Sequence, residues 1–557
     1  MSSILQSNST TMPKENPGIL YQTKLDLDIA VYPEDQISED DIARSVIKAV
    51  EDSGIIARIK ENGRRYYGYS SMDMLKAVIL AHTLKGSVSL RQMEDLSRND
   101  IRFRLIFKGK DTPSFMAYQR FLNENLKGSL DEVLSELNLY FKRQISGYID
   151  TDSETIDGTK EEADANKMSF VWARASEKYY LSCYKKIDEL IQEINACLRE
   201  EGKIQTFSIV RKYDLAYMIQ IADQLCDCML EKGITLKYGK GSRKSKMQKY
   251  YERLKDLALR LWKYEIHFDI LQERNSFSKS DPDATFMHMK YDYYNHTGVF
   301  KPGYNVQFGN CSGFIWDIYI SDDVNDMKTY IPLMEKHYKL YGSYPAATPA
   351  DAGYGSYDNY CYCKKHGISL YMKYSGYEKK KEKINDENRF KAIHFSKNEE
   401  GLPVCPAGFA FRVEKERIET RGIYERKMET LVNDHCEGCP FQKKCTKSKS
   451  GNRTISRCKQ LEQWKEEVDE NLAGSYGQDL MARRAVYSEG FFGDKKYNWN
   501  HDRLHHIGSS GVNLEIYLYA YGKNMRRFHQ LLTKKKENEK EALKKLTAFV
   551  KEHRPSA

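Results

Sequence analysis

The sequence has no apolar run long enough to cross a membrane, and its opening stretch, MSSILQSNSTTMPKENPG, lacks the apolar centre of a secretory signal. It also lacks a decisive excess of charge: 88 Lys+Arg stand against 79 Asp+Glu, a net charge of +9 on 557 residues. Total charge therefore argues neither for nor against a polyanionic partner, and any nucleic-acid surface must come from local clustering. The expectation is a cytoplasmic protein with no membrane partner. Thiols stay reduced in that compartment, so closely spaced members of the 12 Cys read as metal ligands rather than as disulfides.

What is present divides the chain into blocks. Its length allows about two to four domains. Residues 1–20 are polar and punctuated by proline, and read as a mobile N-terminus. Residues 21–144 read as a helical N-terminal domain. SEDDIARSVIKAVEDSG places Ser38 in an N-cap position with Asp41 three residues on. SMDMLKAVILAHTLKG carries Leu75, Val78, Ile79 and His82 on one helical face. Two readings of this domain stay open: a packing unit, or a helix-turn-helix-like DNA contact through Arg91, Arg98, Arg102, Arg104 and Arg120.

Near residue 145 the pattern turns to strands, with GYIDTDSETIDGTKEEA alternating in Ile, Tyr and Thr. Residues 170–275 then read as a helical insertion. Ile187, Leu190, Ile191, Ile194 and Leu198 form one of its apolar stripes, and Met247, Tyr251, Leu254, Leu257 and Leu261 form another. From GYNVQFGNCSGFIWDIYIS to ISLYMKY the order strand–strand–helix–strand–helix–strand argues for a mixed α/β sheet. Residues 376–477 form a Lys/Glu-rich, Cys-bearing insertion, 478–530 return to helix, and 531–557 form a basic tail. Arg526 and Arg527, just before that tail, are further candidates for holding DNA.

Three acids stand out. Asp157 in TIDGTK and Asp351 in ADAGYGS each end a strand and are followed by a glycine turn. Two such acids at one sheet edge would repel, or would together favour a hard divalent cation. The plainer reading is that each Asp starts a turn. RRAVYSEGFFGDKK offers a third acid, Glu489, on a helix whose Val486, Gly490 and Gly493 permit close packing. Lys496 follows two helical turns later on the same face, and Arg483 and Arg484 precede it. Here the plainer reading is a surface charge pair. Separately, VCPAGFAF and DHCEGCPFQKKCTK supply Cys405, Cys436, Cys439 and Cys445, a set that fits a four-thiolate structural Zn²⁺ site, with Cys458 and His435 as spare ligands.

Taken in order, IDGTKEEADANKMSFVW, SDPDATFM, KPGYNVQ, ADAGYGSYDNY and SEGFFGDKK resemble bacterial insertion-sequence transposases of the DDE class, nearest to insertion-sequence family eleven-eighty-two. The resemblance runs from about residue 65 to about 530. It implies a ribonuclease-H-like mixed-sheet core built from 145–375 and 478–530. It also implies that Asp157, Asp351 and Glu489 hold two Mg²⁺ (or Mn²⁺) ions, with Lys496 matching the lysine that follows the third acid. Related families carry Tyr and Arg at set distances before the Glu; those positions are Ala482 and Ala485 here, with Arg483, Arg484 and Tyr487 offset beside them. The implied activity is cutting and joining of phosphodiester bonds at transposon ends. The implied partners are double-stranded DNA (terminal repeats and target) and a second copy of the chain on paired ends. A nuclease of the same fold without strand transfer, and an inactive DNA-binding relative, remain as alternatives.

Overall fold

The computed structural model describes residues 36–59, 69–108, 111–203, 206–239, 241, 243–289, 299–448, 450–493, 495, 499 and 503–552. Segment 1–20 and Lys496 lie outside the described residues, as does the side chain of Glu489. Among the described residues no helix is long and apolar enough to cross a membrane.

The N-terminal helices are α1 (Ile42–Asp52), α2 (Ser71–Lys85), α3 (Leu90–Asn99), α4 (Arg102–Phe107), α5 (Phe115–Arg120) and α6 (Leu130–Gln144). The N-cap of α1 is Asp41, whose carboxylate accepts from the Ala43 amide; the expected Ser38 cap stands a turn too early. Helix α2 is buried not on one face but continuously from Met74 to Thr83. Its neighbours surround it. One of them is the C-terminal helix, residues Ser509–Glu552, where Gly522 approaches so closely that a Cβ would stand 2.3 Å from the His82 carbonyl oxygen.

The central sheet has six strands. β1 (Thr155–Glu162) pairs antiparallel with β5 (Phe300–Cys311), which pairs with β6 (Phe314–Ser321) and at its start with β4 (Thr285–His288). On the other side of β1 lie β7 (Ala350–Gly355) and β8 (Met372–Tyr374), both parallel to it. An antiparallel meander β1-β5-β6 followed by two parallel strands beyond β1 is consistent with a ribonuclease-H-like core. The short strands β2 (Phe170–Trp172) and β3 (Ser276–Ser278) pair at the neck of an inserted helical unit. That unit comprises α7 (Ala173–Glu200), α8 (Leu215–Glu231) and α9 (Lys246–Leu271). Both of its expected stripes fall in one separate apolar core, Ile187, Leu190 and Ile194 meeting Leu254 and Leu261.

Two further cores sandwich the sheet. On one face Val306, Phe308 and Ile318 pack with the N-terminal helices and with α14 (Ser509–Glu552). On the other, Ile156, Ala350 and Tyr354 pack with α10 (Tyr330–Tyr341), α11 (Tyr357–His366) and α12 (Lys459–Ala473) through Leu333, Tyr360, Trp464 and Val468. The chain thus rejoins the core at α12, ahead of the expected return at 478. Between α12 and α14 runs α13 (Ser475–Gly493). Helix α14 continues through the expected basic tail as one element of 44 residues. Its exposed Lys/Glu-rich end favours helix and carries i,i+4 pairs such as Glu541–Lys545.

Candidate active site

Side chains alternate along a strand, so the register decides which acids can meet. Ile156 of β1 lies opposite Ala350 of the parallel β7, and both are fully buried in the same core. The next residue on each strand is the acid. Asp157 and Asp351 therefore emerge together on the opposite face of the sheet, where α13 crosses β1. Each carboxylate is fixed by a backbone amide of its own strand. Both acids lie near the start of a strand that runs on past them, not at a strand end before a glycine turn as the sequence suggested. The Gly158 amide donates to Asp157 Oδ1 at 2.9 Å, and the Gly353 amide donates to Asp351 Oδ1 at 2.8 Å. A Cβ at 353 would lie 2.9 Å from Asp351 Oδ1 and would push that carboxylate aside.

The second oxygens turn toward Arg484 of α13. Its Nη2 is 3.1 Å from Asp157 Oδ2 and 4.0 Å from Asp351 Oδ2. Asp157 and Arg484 are largely sheltered, with 18% and 17% of their side-chain surfaces exposed, whereas Asp351 is 45% exposed. A cation thus stands between two carboxylates that open to solvent on one side. Arg484 was legible only as one of a basic pair. Arg483, its neighbour, points elsewhere, to Asp150 and Asp479.

Helix α13 is oriented by an apolar seam. Leu480, Ser488 and Phe491 are buried on the side that carries Arg484, and Phe491 meets Phe308 edge-on at 4.7 Å. Glu489 lies on this helix about 140° around the axis from Arg484. Beyond the helix, Lys495 forms a fully buried ion pair with Glu161 of β1 at 2.8 Å. Glu161 shares a strand face with Asp157.

The sheet end is braced from its other face. Tyr354 of β7 hydrogen-bonds to Gln307, which donates to Asn305 at 2.8 Å, and Asn305 donates to Asp326 Oδ1 at 2.7 Å. Burial first, and then the charges of Asp326, Asp157 and Asp351, push the Tyr354 hydroxyl far above its ordinary value, so it stays a neutral donor. Asp326 itself lies beside Gly353; no strand or helix pattern in the sequence marks it.

Two clefts border α14, and neither is lined by Asp157, Asp351 or Arg484. One, of about 370 Å³, lies between α13 and α14 and is lined by Lys523, Arg526 and Arg527. The other, of about 1190 Å³, runs between α2, α3 and the start of α14 and is lined by Lys85, Arg91, His505 and His506. The expected DNA-contacting arginines are distributed unevenly around these. Arg98 and Arg102 pair with Glu94 and Asp100, Arg104 is exposed, Arg120 is half-buried, and Arg526 donates to the His82 and Thr83 carbonyls of α2.

The cysteine-bearing stretch folds around three antiparallel strands, Arg412–Glu419, Arg426–Asn433 and Arg453–Arg457. Two tight turns present the thiols. The Gly408 amide donates to the Cys405 carbonyl at 2.8 Å, and the Cys439 amide donates to the Cys436 carbonyl at 3.2 Å. Cys405, Cys436, Cys439 and Cys445 line one cavity of about 20 Å³, enough for roughly one water-sized atom. Burial, opposed by Arg453 and reinforced by the other three sulfurs, pushes the Cys445 thiol up. The spare ligands are otherwise engaged: Cys458 is buried in the sheet core, and His435 stacks on Phe409 at 4.6 Å.

Residues 404–529 match the family model of the transposase DDE domain. The matched stretch contains the cysteine-bearing unit, α12, α13 with Arg484 and Glu489, and the first half of α14; Asp157 and Asp351 lie ahead of it. No curated protein and no solved structure matches the chain. The match, on a mixed sheet with this strand order, supports a DDE transposase.

Proposed function

We propose that the chain is a DNA transposase that cuts and joins phosphodiester bonds at transposon ends, with Asp157, Asp351 and Glu489 as the metal-holding acids. The observation that carries this reading is the guanidinium of Arg484 between Asp157 Oδ2 and Asp351 Oδ2. Two carboxylates held rigidly side by side call for a positive charge, and their all-oxygen chemistry fits Mg²⁺ or Mn²⁺. When bound, such ions polarise phosphoryl oxygens and lower the pKa of a coordinated water or hydroxyl.

The protein's own groups do the rest. The Gly158 and Gly353 amides hold one oxygen of each acid, and the other oxygen of each faces Arg484. Arg484 balances the acids' charge before the ions arrive and then becomes available to a phosphate. Glu489 is the third acid, supplied from α13, and Lys496 orients a phosphate next to it. The basic cleft between α13 and α14, with Lys523 and Arg527 on its walls, takes the DNA backbone. Arg91, Arg98, Arg104 and Arg120 extend that contact toward the N-terminal helices. Two copies acting on paired ends complete the assembly.

The test is strand transfer. Pre-cut transposon-end DNA and a supercoiled target are expected to give joined product with Mg²⁺ in the absence of any further cleavage step. Hydrolysis of the ends without joined product would instead make the chain a nuclease. DNA binding without either reaction would make it a binding protein.

The four cysteines, sharing one small cavity, are proposed to hold a structural Zn²⁺. Cys439→Ser is expected to lose one zinc per chain by elemental analysis. It should also melt the 404–457 region at lower temperature, with the α7–α9 unit unaffected because its core is separate. Zinc content equal to that of the unmodified chain would remove the assignment.

A further inference from the structure

The sheet face opposite Asp157 carries a second cluster that the transposase reading leaves unused. Glu154 lies three residues before Asp157, Asp317 lies in β6, and His337 lies on α10. All three are buried, with 0%, 1% and 4% of their surface exposed. His337 Nδ1 is 2.6 Å from Asp317 Oδ2 and 2.9 Å from Glu154 Oε2. One ligand atom from each residue lies within 4.8 Å of the other two, and this is the one such group among the described residues.

Hydrogen bonding alone leaves this cluster badly served. A single Nδ1–H cannot satisfy two carboxylates. Both oxygens of Glu154 and Oδ1 of Asp317 accept no directed hydrogen bond among the described groups. Buried carboxylate oxygens in that state are costly. The backbone nevertheless reserves room for them. Gly309 of β5 lies across from Asp317, and a Cβ at that glycine would fall 1.7 Å from Glu154 Oε1.

We propose that Glu154, Asp317 and His337 form a buried structural site for one divalent first-row transition ion, separate from the Asp157–Asp351 pair. The charge then closes. Two carboxylates, a neutral imidazole and a +2 ion sum to zero. An imidazolium with one carboxylate and one protonated carboxyl group is also neutral, since burial and Glu154 push the Asp317 carboxyl up to about 7. What the ion adds is a partner for the orphaned oxygens. The three free oxygens become ligands, because each carboxylate can bind through both of its oxygens. The 2.9 Å separation is close to the ~3.0 Å between adjacent ligands of an octahedral ion with bonds of about 2.1 Å. The 2.6 Å separation is a hydrogen-bond distance, so an ion would part His337 Nδ1 from Asp317 Oδ2 on entering. An imidazole among the ligands favours iron or zinc over magnesium or calcium, and the two carboxylates also suit manganese. Such an ion joins the start of β1 to β6 and α10, and so fixes the strand immediately ahead of Asp157. The inference does not depend on what the chain does to DNA.

The test uses the full chain loaded with Mn²⁺, exposed briefly to EDTA and desalted. One manganese per chain is expected to survive, because an ion buried this deeply leaves only after local opening. Its electron spin-echo envelope should carry modulation from an imidazole nitrogen, which neither the acids of the opposite face nor thiolates can supply. Glu154→Gln and His337→Gln should each lose that ion while the zinc content stays unchanged. The proposal is overturned if no manganese resists the chelator, if the retained manganese shows no nitrogen modulation, or if the Gln variants keep it undiminished. Should a variant fold poorly, the spectrum of the unmodified chain decides.

Discussion

Asp157→Asn and Asp351→Asn are each expected to lower Mg²⁺-dependent end cleavage about a thousandfold or more, while end binding stays within about threefold. The size follows from the role. A lost metal ligand removes several kcal/mol of transition-state stabilisation, and each ~1.4 kcal/mol is a factor of ten. Asparagine is nearly isosteric and keeps an oxygen for the Gly158 or Gly353 amide, so the strand geometry that presents it should survive. What goes is the negative charge facing Arg484. A purely structural ion pair predicts something else, namely a lower melting temperature and unchanged cleavage by the folded fraction. Gel-based cleavage and filter binding on the same preparations separate the two. Cleavage at more than about a tenth of the normal rate by either variant would remove that residue from the catalytic set.

Arg484 sharpens the same point. If its guanidinium stands where cations belong, Arg484→Gln leaves two carboxylates facing each other with nothing between them. Added Mg²⁺ should then raise the melting temperature of the variant more than that of the unmodified chain, because ligand binding to the folded state stabilises it by mass action.

The two acids were legible in the sequence through a local pattern, an apolar stretch, an acid, then glycine, although both lie near the start of a strand rather than at its end. Their shared face was not, since it depends on the Ile156–Ala350 register between segments nearly two hundred residues apart. Arg484 was visible only as a member of a basic pair, for nothing local says which arginine of α13 turns inward. The stripes of the helical insertion were read correctly because that unit packs only on itself. Helix α2 defeated the one-face reading because three-dimensional neighbours cover every side of it. Glu154, Asp317 and His337 carried no signal at all. A lone acid before a strand, another within one and a histidine on a helix look unremarkable until β1, β6 and α10 are assembled.

The second large effect is expected at a residue next to one the sequence had singled out. Lys495 and Glu161 form an ion pair in which both side chains are wholly inaccessible. Neither Glu161 oxygen has a directed hydrogen bond among the described groups, so the lysine charge is what compensates it. Lys495→Met should therefore destabilise the protein by about 3–5 kcal/mol, the usual cost of leaving one buried charge alone. Replacing both partners, Glu161→Met with Lys495→Met, should recover most of that loss, since an apolar pair carries no desolvation penalty. Urea unfolding of the two single variants and the double variant measures this directly, and a coupling energy near zero would mean that the pair is solvated in solution. Cleavage should report a second consequence. Lys495 ties the segment that follows α13 to the strand face carrying Asp157, so it holds the helix bearing Glu489 and Arg484 in place. The double variant, though folded, is therefore expected to cut DNA more slowly than the unmodified chain, because an apolar contact fixes that helix less sharply than a directed ion pair does.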